Sequence, residues 1–118
     1  MEISDFRKAI QINSPDTIVN DIVLAPGAKH VSFAAIEYAT AMLRSRFQIA
    51  ESPLEVIVVG SAKLGFSISE KRIPGRSPLP RYREFDEVES DIDLAIVSQK
   101  LFFDVWRDLG TYAHRQTP

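Results

Sequence analysis

Two apolar, mostly β-branched runs constrain this chain most: Val56-Ile57-Val58-Val59 and Ile92-Asp93-Leu94-Ala95-Ile96-Val97. The first is continuous, the pattern of a strand covered on both faces, and it stops at a Gly60-Ser61 turn. The second carries aliphatic residues at Ile92, Leu94 and Ile96 and an Asp-x-Asp, Asp91 and Asp93, at its start. Residues i and i+2 of a strand point to one face, so the two carboxylates are expected to project together. Like charges held that close need a cation between them, and a divalent metal is the expected answer.

The segments around these strands predict helices. Ser4 is placed to cap a short helix reaching about Ile12. Ser14-Pro15 is a stronger start signal, an N-cap followed by proline at the first helical position, leading into a helix from Asp16 to Leu24. Pro26-Gly27 reads as a turn. From Val31 to Phe47 a wide apolar stripe through Ile36, Ala39, Leu43 and Phe47, flanked by Val31, Ala35, Tyr38 and Met42, argues a helix largely covered by its neighbours. Ser61 to about Ser67 reads as a short helix opening straight off the first strand, and Tyr82 to Val88 as a weak extended segment. Ser98 caps a last helix bearing Leu101, Phe102, Val105, Trp106 and Leu109, which Gly110 is expected to end. At 118 residues the whole fits a single domain, 1–118, with a helical part over 1–50 and a motif-bearing core over 55–110. The expected fold class is α/β (α+β): N-terminal helices packed on a small mixed β-sheet.

Composition excludes several chemistries. The chain has no cysteine, which removes disulfides, thiolate zinc and cysteine nucleophiles. No apolar run approaches the roughly 18 residues a spanning helix needs. The N-terminus lacks the apolar segment of a secretory signal, so the expectation is a cytoplasmic protein without membrane contact. A net charge of -2 gives no global attraction to nucleic acid. The charges are blocked, however. Lys63, Lys71, Arg72, Arg76, Arg81 and Arg83 stand against Glu70 alone, and an uninterrupted acidic stretch follows from Glu84 to Asp93. Such a basic block is either a solvated loop or a contact for phosphates, of a nucleotide or of nucleic acid reached through the loop 63–83.

A helix that begins directly after a strand aims free backbone N–H groups at whatever lies before it. Gly60 lets a phosphate approach the backbone, and Ser61 adds a hydroxyl donor. Magnesium favours one or two carboxylates completed by substrate phosphate oxygens, which Asp91 and Asp93 would supply. Lys63 and Ser67 lie close enough in sequence to touch a nucleotide, although a surface helix is the better explanation of both. His30 and His114 have no motif partners. Phe102 and Trp106, four apart on a helix, read as core packing ahead of a base-stacking platform. Ser61 has no nearby histidine in sequence to make it a nucleophile.

Taken together, Gly60-Ser61, a helix, and Asp91-Ile92-Asp93 on a strand resemble the nucleotidyltransferase superfamily related to polymerase β. The resemblance runs from Val56 to Val97. It implies a nucleotidyltransferase-like fold, with Gly60 and Ser61 holding a nucleoside triphosphate and Asp91 and Asp93 carrying magnesium or manganese. The implied activity is transfer of a nucleoside monophosphate from an NTP, ATP being the first guess, to a hydroxyl acceptor. Two departures stand out. The acidic pair follows Gly-Ser at an unusual distance, from Ala62 to Ser90, and the extra length falls in the basic, proline-rich loop. The third carboxylate that the family places on a later strand has no counterpart, since Asp104 and Asp108 fall on the last helix. The chain is then either the catalytic N-terminal piece of a longer enzyme or a minimal member. The alternative is a non-catalytic nucleotide-binding or interaction module, a degenerate or antitoxin-like version of the same domain.

Overall fold

A computed structural model of the chain describes residues 1–116. Helix α1 spans Ile3–Ile12 and buries Phe6. It starts ahead of Ser4, with Glu2 at the N-cap and no side-chain cap, so the expected Ser4 cap does not form. Asn13 closes it, its backbone N–H and its side-chain amide both donating to Ala9 O at 3.0 Å. Ser14 then caps α2, Pro15–Ile18, by accepting from Thr17 N–H at 3.3 Å. The expected continuous helix to Leu24 changes pitch instead. Val19–Val23 forms a π-helical turn, closed by Leu24 N–H on Val19 O at 2.8 Å. Apolar periodicity does not distinguish a five-residue repeat over so short a span.

Helix α3, Phe33–Arg46, is capped by Ser32, whose Oγ accepts from Ala35 N–H at 3.1 Å. Its expected wide coverage is not what folds: Phe33, Tyr38 and Met42 are exposed, and only Ile36, Ala39, Thr40, Leu43 and Arg44 are half-buried. The turn after it is held by Arg44, which donates to the carbonyls of Ile49, Ala50 and Ser52.

Strand β1, Glu55–Val59, and β2, Asp93–Val97, pair antiparallel with Val58 opposite Leu94 and Val59 opposite Asp93. Among the described residues the sheet has these two strands alone, so it is antiparallel and not mixed. Coverage is also one-sided. Helices α3 and α4 pack on β1 and bury Val58 to 2% exposure, whereas Leu94, Ile96 and Val97 of β2 remain exposed. The double covering expected of Val56–Val59 is therefore partial.

Helix α4 is a single turn, Ser61–Leu64, shorter than the expected reach to Ser67. Gly65 ends it at φ 93°, a left-handed conformation that glycine adopts without strain, and its N–H donates to Ser61 O at 2.8 Å. Despite its length this turn is the centre of the molecule. Leu64 and Phe66 join Phe6 in the buried core, and Ile3, Ile18, Ile22 and Tyr82 pack around them. Phe6 and Phe66 meet edge to face at 5.5 Å, a geometry that aromatic quadrupoles favour.

The proline-rich segment is an ordered excursion. Ser67 N–H donates to Arg83 O at 2.8 Å and Arg83 N–H donates back to Ser67 Oγ, and Lys71 and Leu79 exchange backbone hydrogen bonds at 2.8 and 2.9 Å. Pro74 and Gly75 sit at the central positions of the turn closed by Arg76 N–H on Ile73 O, with Gly75 at φ 76°, as a type II turn requires. The expected extended segment from Tyr82 to Val88 reduces to a bridge between Phe66 and Glu84. Asp86 then folds the chain into a turn, its carboxylate accepting from Val88 and Glu89 N–H groups.

Helix α5, Gln99–Gln116, begins as expected, with Ser98 Oγ accepting from Leu101 N–H at 3.2 Å. It does not stop at Gly110. Glycine costs a helix interior about 1 kcal/mol, too little to end it where flanking residues favour continuation. None of its described side chains is buried, so the core-packing role expected of Phe102 and Trp106 is not realised; their rings stack on each other, 6.3 Å apart, at the surface. Among the described residues no helix is long and apolar enough to cross a membrane.

Candidate functional site

The β1–α4 junction is built on one backbone conformation. Gly60 has φ 74° and ψ −155°, a region open essentially to glycine alone. It swings the chain out of the ladder straight into α4, so Ile92 and Asp91 have no strand partner to pair with. For that reason β2 begins at Asp93, and Asp91 lies outside the strand that was expected to hold both carboxylates.

The same register brings Asp93 to the turn. A Cβ on Gly60 would stand 3.0 Å from Asp93 Oδ2. The absent side chain is thus what admits the carboxylate to the mouth of the Gly-Ser turn. Gly60 O accepts from the N–H groups of Lys63 and Leu64, and Ala62 is fully buried beneath the turn. Ser61 is half-buried, and Asp91 and Asp93 are exposed. Neither carboxylate forms an ion pair among the described residues. Asp93 is the carboxylate that the strand register brings to the turn, and Asp91 lies two residues before it, outside the ladder. Among the described residues there is no group of three metal-ligating side chains.

Two residues assigned to nucleotide contacts by sequence proximity have other partners. Lys63 is 8% exposed, and its ammonium donates to the carbonyls of Ala25 and Gly27. Desolvation by burial lowers its pKa below the usual lysine value. Its backbone carbonyl accepts from Lys29 N–H at 3.0 Å, so Lys63 fastens the 25–30 segment to α4. Ser67 Oγ accepts from Arg83 N–H at 3.0 Å, and its carbonyl accepts from Tyr82 N–H, which ties the root of the hairpin. Both hold the scaffold behind the turn.

The structure also brings up neighbours that no sequence signal announced. Lys29 lies across Gly65, where a Cβ would come within 2.6 Å of its Cδ. His30 donates its backbone N–H to Ala62 O at 3.0 Å, and its ring stacks on Phe85 at 4.5 Å with planes 21° apart. Both contacts join segments far apart in the chain, which local spacing cannot encode. The clefts lie elsewhere. One of about 450 Å³ opens between Met1, Asp21, Ile22, Lys29 and Leu64, with Lys63 in its wall. Another of about 220 Å³ lies between α3 and β1. Neither is lined by Gly60, Ser61, Asp91 or Asp93.

No protein-family model, curated protein or solved structure matches the chain.

Proposed function

We propose that the chain is the catalytic portion of a magnesium-dependent nucleotidyltransferase, acting on an NTP, ATP in the first instance, and a hydroxyl acceptor. The observation that carries this reading is the approach of Asp93 to Gly60, which joins an anion-binding turn to a carboxylate across a long connection. In this reading Gly60 and the N–H group of Ser61 hold the triphosphate, and the Ser61 hydroxyl adds a donor. Asp91 and Asp93 hold the metal, which when bound supplies charge neutralisation on the phosphate oxygens. The acceptor oxygen forms a bond to the α-phosphorus, the bond to pyrophosphate breaks, pyrophosphate leaves, and the hydroxyl proton passes to solvent. The hairpin presents Lys71, Arg72, Arg76 and Arg81 exposed beside this scaffold, and a nucleic-acid acceptor is the partner that such charge suits.

Thermal unfolding with ATP, GTP, CTP or UTP, with and without magnesium, tests the reading. A ligand at a hundredfold its Kd stabilises by about 2.7 kcal/mol. The expected result is a magnesium-dependent shift with one or more nucleotides that Asp91→Asn/Asp93→Asn abolishes. No shift with any of them overturns the enzyme.

One observation favours a second reading, the non-catalytic module. The carboxylates that follow β2 are on α5, and Asp104 there is engaged by Lys100 at 3.2 Å and Arg107 at 3.0 Å. Magnesium-dependent nucleotide binding without transfer to any hydroxyl would select this module.

A further inference from the structure

Among the described residues one charged side chain is buried, Lys63, at 8% exposure. A buried charge is ordinarily met by an opposite one, since removing it from water is costly. Lys63 has instead the neutral carbonyls of Ala25 and Gly27, and no carboxylate forms an ion pair with it among the described residues. Its pKa, lowered by desolvation, records the missing counter-charge. An ammonium has three N–H donors, and the two carbonyls occupy two of them.

Beside the ammonium is space. Lys63 and the turn at 25–27 form a wall of the cleft of about 450 Å³, a volume in the range of small-molecule sites. Ile22, Pro26 and Leu64 give the cleft an apolar lining, and Leu64 belongs to the buried core, so that side is anchored. Lys29 lines it as well, an exposed side chain lying over Gly65, with Nζ 3.1 Å from where a Cβ would stand. Asp21 is the lining's acid. Two lysines against one aspartate leave these side chains with an excess of one positive charge.

We propose that this cleft binds a small monocarboxylate with an apolar body, its carboxylate accepting from Lys63 and its hydrocarbon lying on Ile22, Pro26 and Leu64. Lys29 adds positive charge at the same end. A single negative charge matches the excess of two lysines over one aspartate, whereas a cation would meet both ammonium groups. The site is preorganised, because the Ala25 and Gly27 carbonyls already hold the Lys63 side chain in place. The bound carboxylate supplies the counter-charge that Lys63 lacks. The inference is independent of the nucleotide reading, since none of Gly60, Ser61, Asp91 and Asp93 lines this cleft.

Methyl NMR titration of the whole chain with hexanoate, hexanol and hexylammonium at neutral pH tests it. Hexanoate is expected to bind saturably and about tenfold more tightly than hexanol, the scale of one hydrogen bond between charged partners. Hexylammonium is expected to bind more weakly than either. The methyl resonances of Ile22 and Leu64 are expected to move with hexanoate, while those of Ile96 and Val97, exposed on β2, stay in place. These readouts need no variant. Lys63→Met is expected to remove the tenfold preference for hexanoate over hexanol, and Lys29→Gln, at an exposed site, to reduce it about threefold. Equal affinity for hexanoate and hexanol in the parent chain overturns the proposal, as does a preference for hexylammonium. Shifts spread equally over Ile96 and Val97 overturn it too, because hexanoate then coats exposed apolar surface in general. A folded Lys63→Met that keeps the preference overturns it equally.

Discussion

Around α4, Phe6, Leu64 and Phe66 are closed off from water by Ile3, Ile18, Ile22 and Tyr82. Along α5, Phe102, Val105, Trp106 and Leu109 stand in it. Both regions carry large apolar side chains, and only one is covered by this chain. The difference teaches that an apolar side chain announces a need for cover without saying what provides it. At α4 the cover arrives from α1, the 18–22 turn and the base of the hairpin, none adjacent in sequence. At α5 none of the described residues supplies it.

Truncation at matched aromatic sites breaks or sharpens this contrast most strongly. Phe66→Ala is expected to cost about 3–5 kcal/mol, because a buried ring leaves a cavity the core cannot fill. Phe103→Ala, at an exposed ring of α5, is expected to change stability by less than about 1 kcal/mol. Urea unfolding of the two variants checks both; equal losses would mean that α5 is buried in solution.

A smaller effect is expected at the junction between the two regions. Gly60→Ala forces a side chain into a backbone region costing about 1–3 kcal/mol, and its Cβ meets Asp93 Oδ2 at 3.0 Å. The variant is expected to remain folded at reduced denaturation midpoint and to lose any magnesium-dependent nucleotide shift. A retained shift would separate Gly60 from the site.

The smallest expected effect is in pH. Lys63 has its pKa lowered by desolvation, so below the ordinary lysine value of 10.5 there is a window in which the unfolded chain holds a proton the folded chain has released. Unfolding takes up a proton there, and stability contributed by this group rises with pH from the lowered value towards 10.5. Subtracting the pH profile of Lys63→Met from that of the parent chain is expected to isolate this rising slope. A falling difference would mean that the ammonium is stabilised by Ala25 and Gly27 more than burial penalises it.

Local chemistry made much of the fold legible. Ser14-Pro15 and Ser98 lie where helices begin, since a cap is a contact within a few residues, whereas Ser4 does not cap α1 and the Ser32 cap of α3 falls outside the expectations. The strands at Val56–Val59 and Ile92–Val97 fall within a residue of β1 and β2. What failed were statements about coverage and pitch: the π-helical turn at Val19–Val23, the open flank of α3, the bare side of β2 and the passage of α5 through Gly110. Each depends on distant segments or on small energy differences between helical forms. At the site, Asp91 and Asp93 are expected on one strand, yet only Asp93 lies on it and meets Gly60 through the strand register; Lys63 and Ser67 are close to the turn in sequence, yet their side chains turn to Ala25, Gly27 and Arg83. The direction of a side chain from a one-turn helix is a tertiary outcome.

The backbone bonds between Ser67 and the Tyr82–Arg83 pair make the hairpin a cassette whose two ends meet at a fixed gate. Because the ends are already together, lengthening such an excursion is cheap, about 0.6 kcal/mol for each doubling of a flexible loop. Separation along the chain is thereby uncoupled from separation in space between the Gly60 turn and Asp93. The 68–81 segment can therefore change in length and charge while the two strands keep their register.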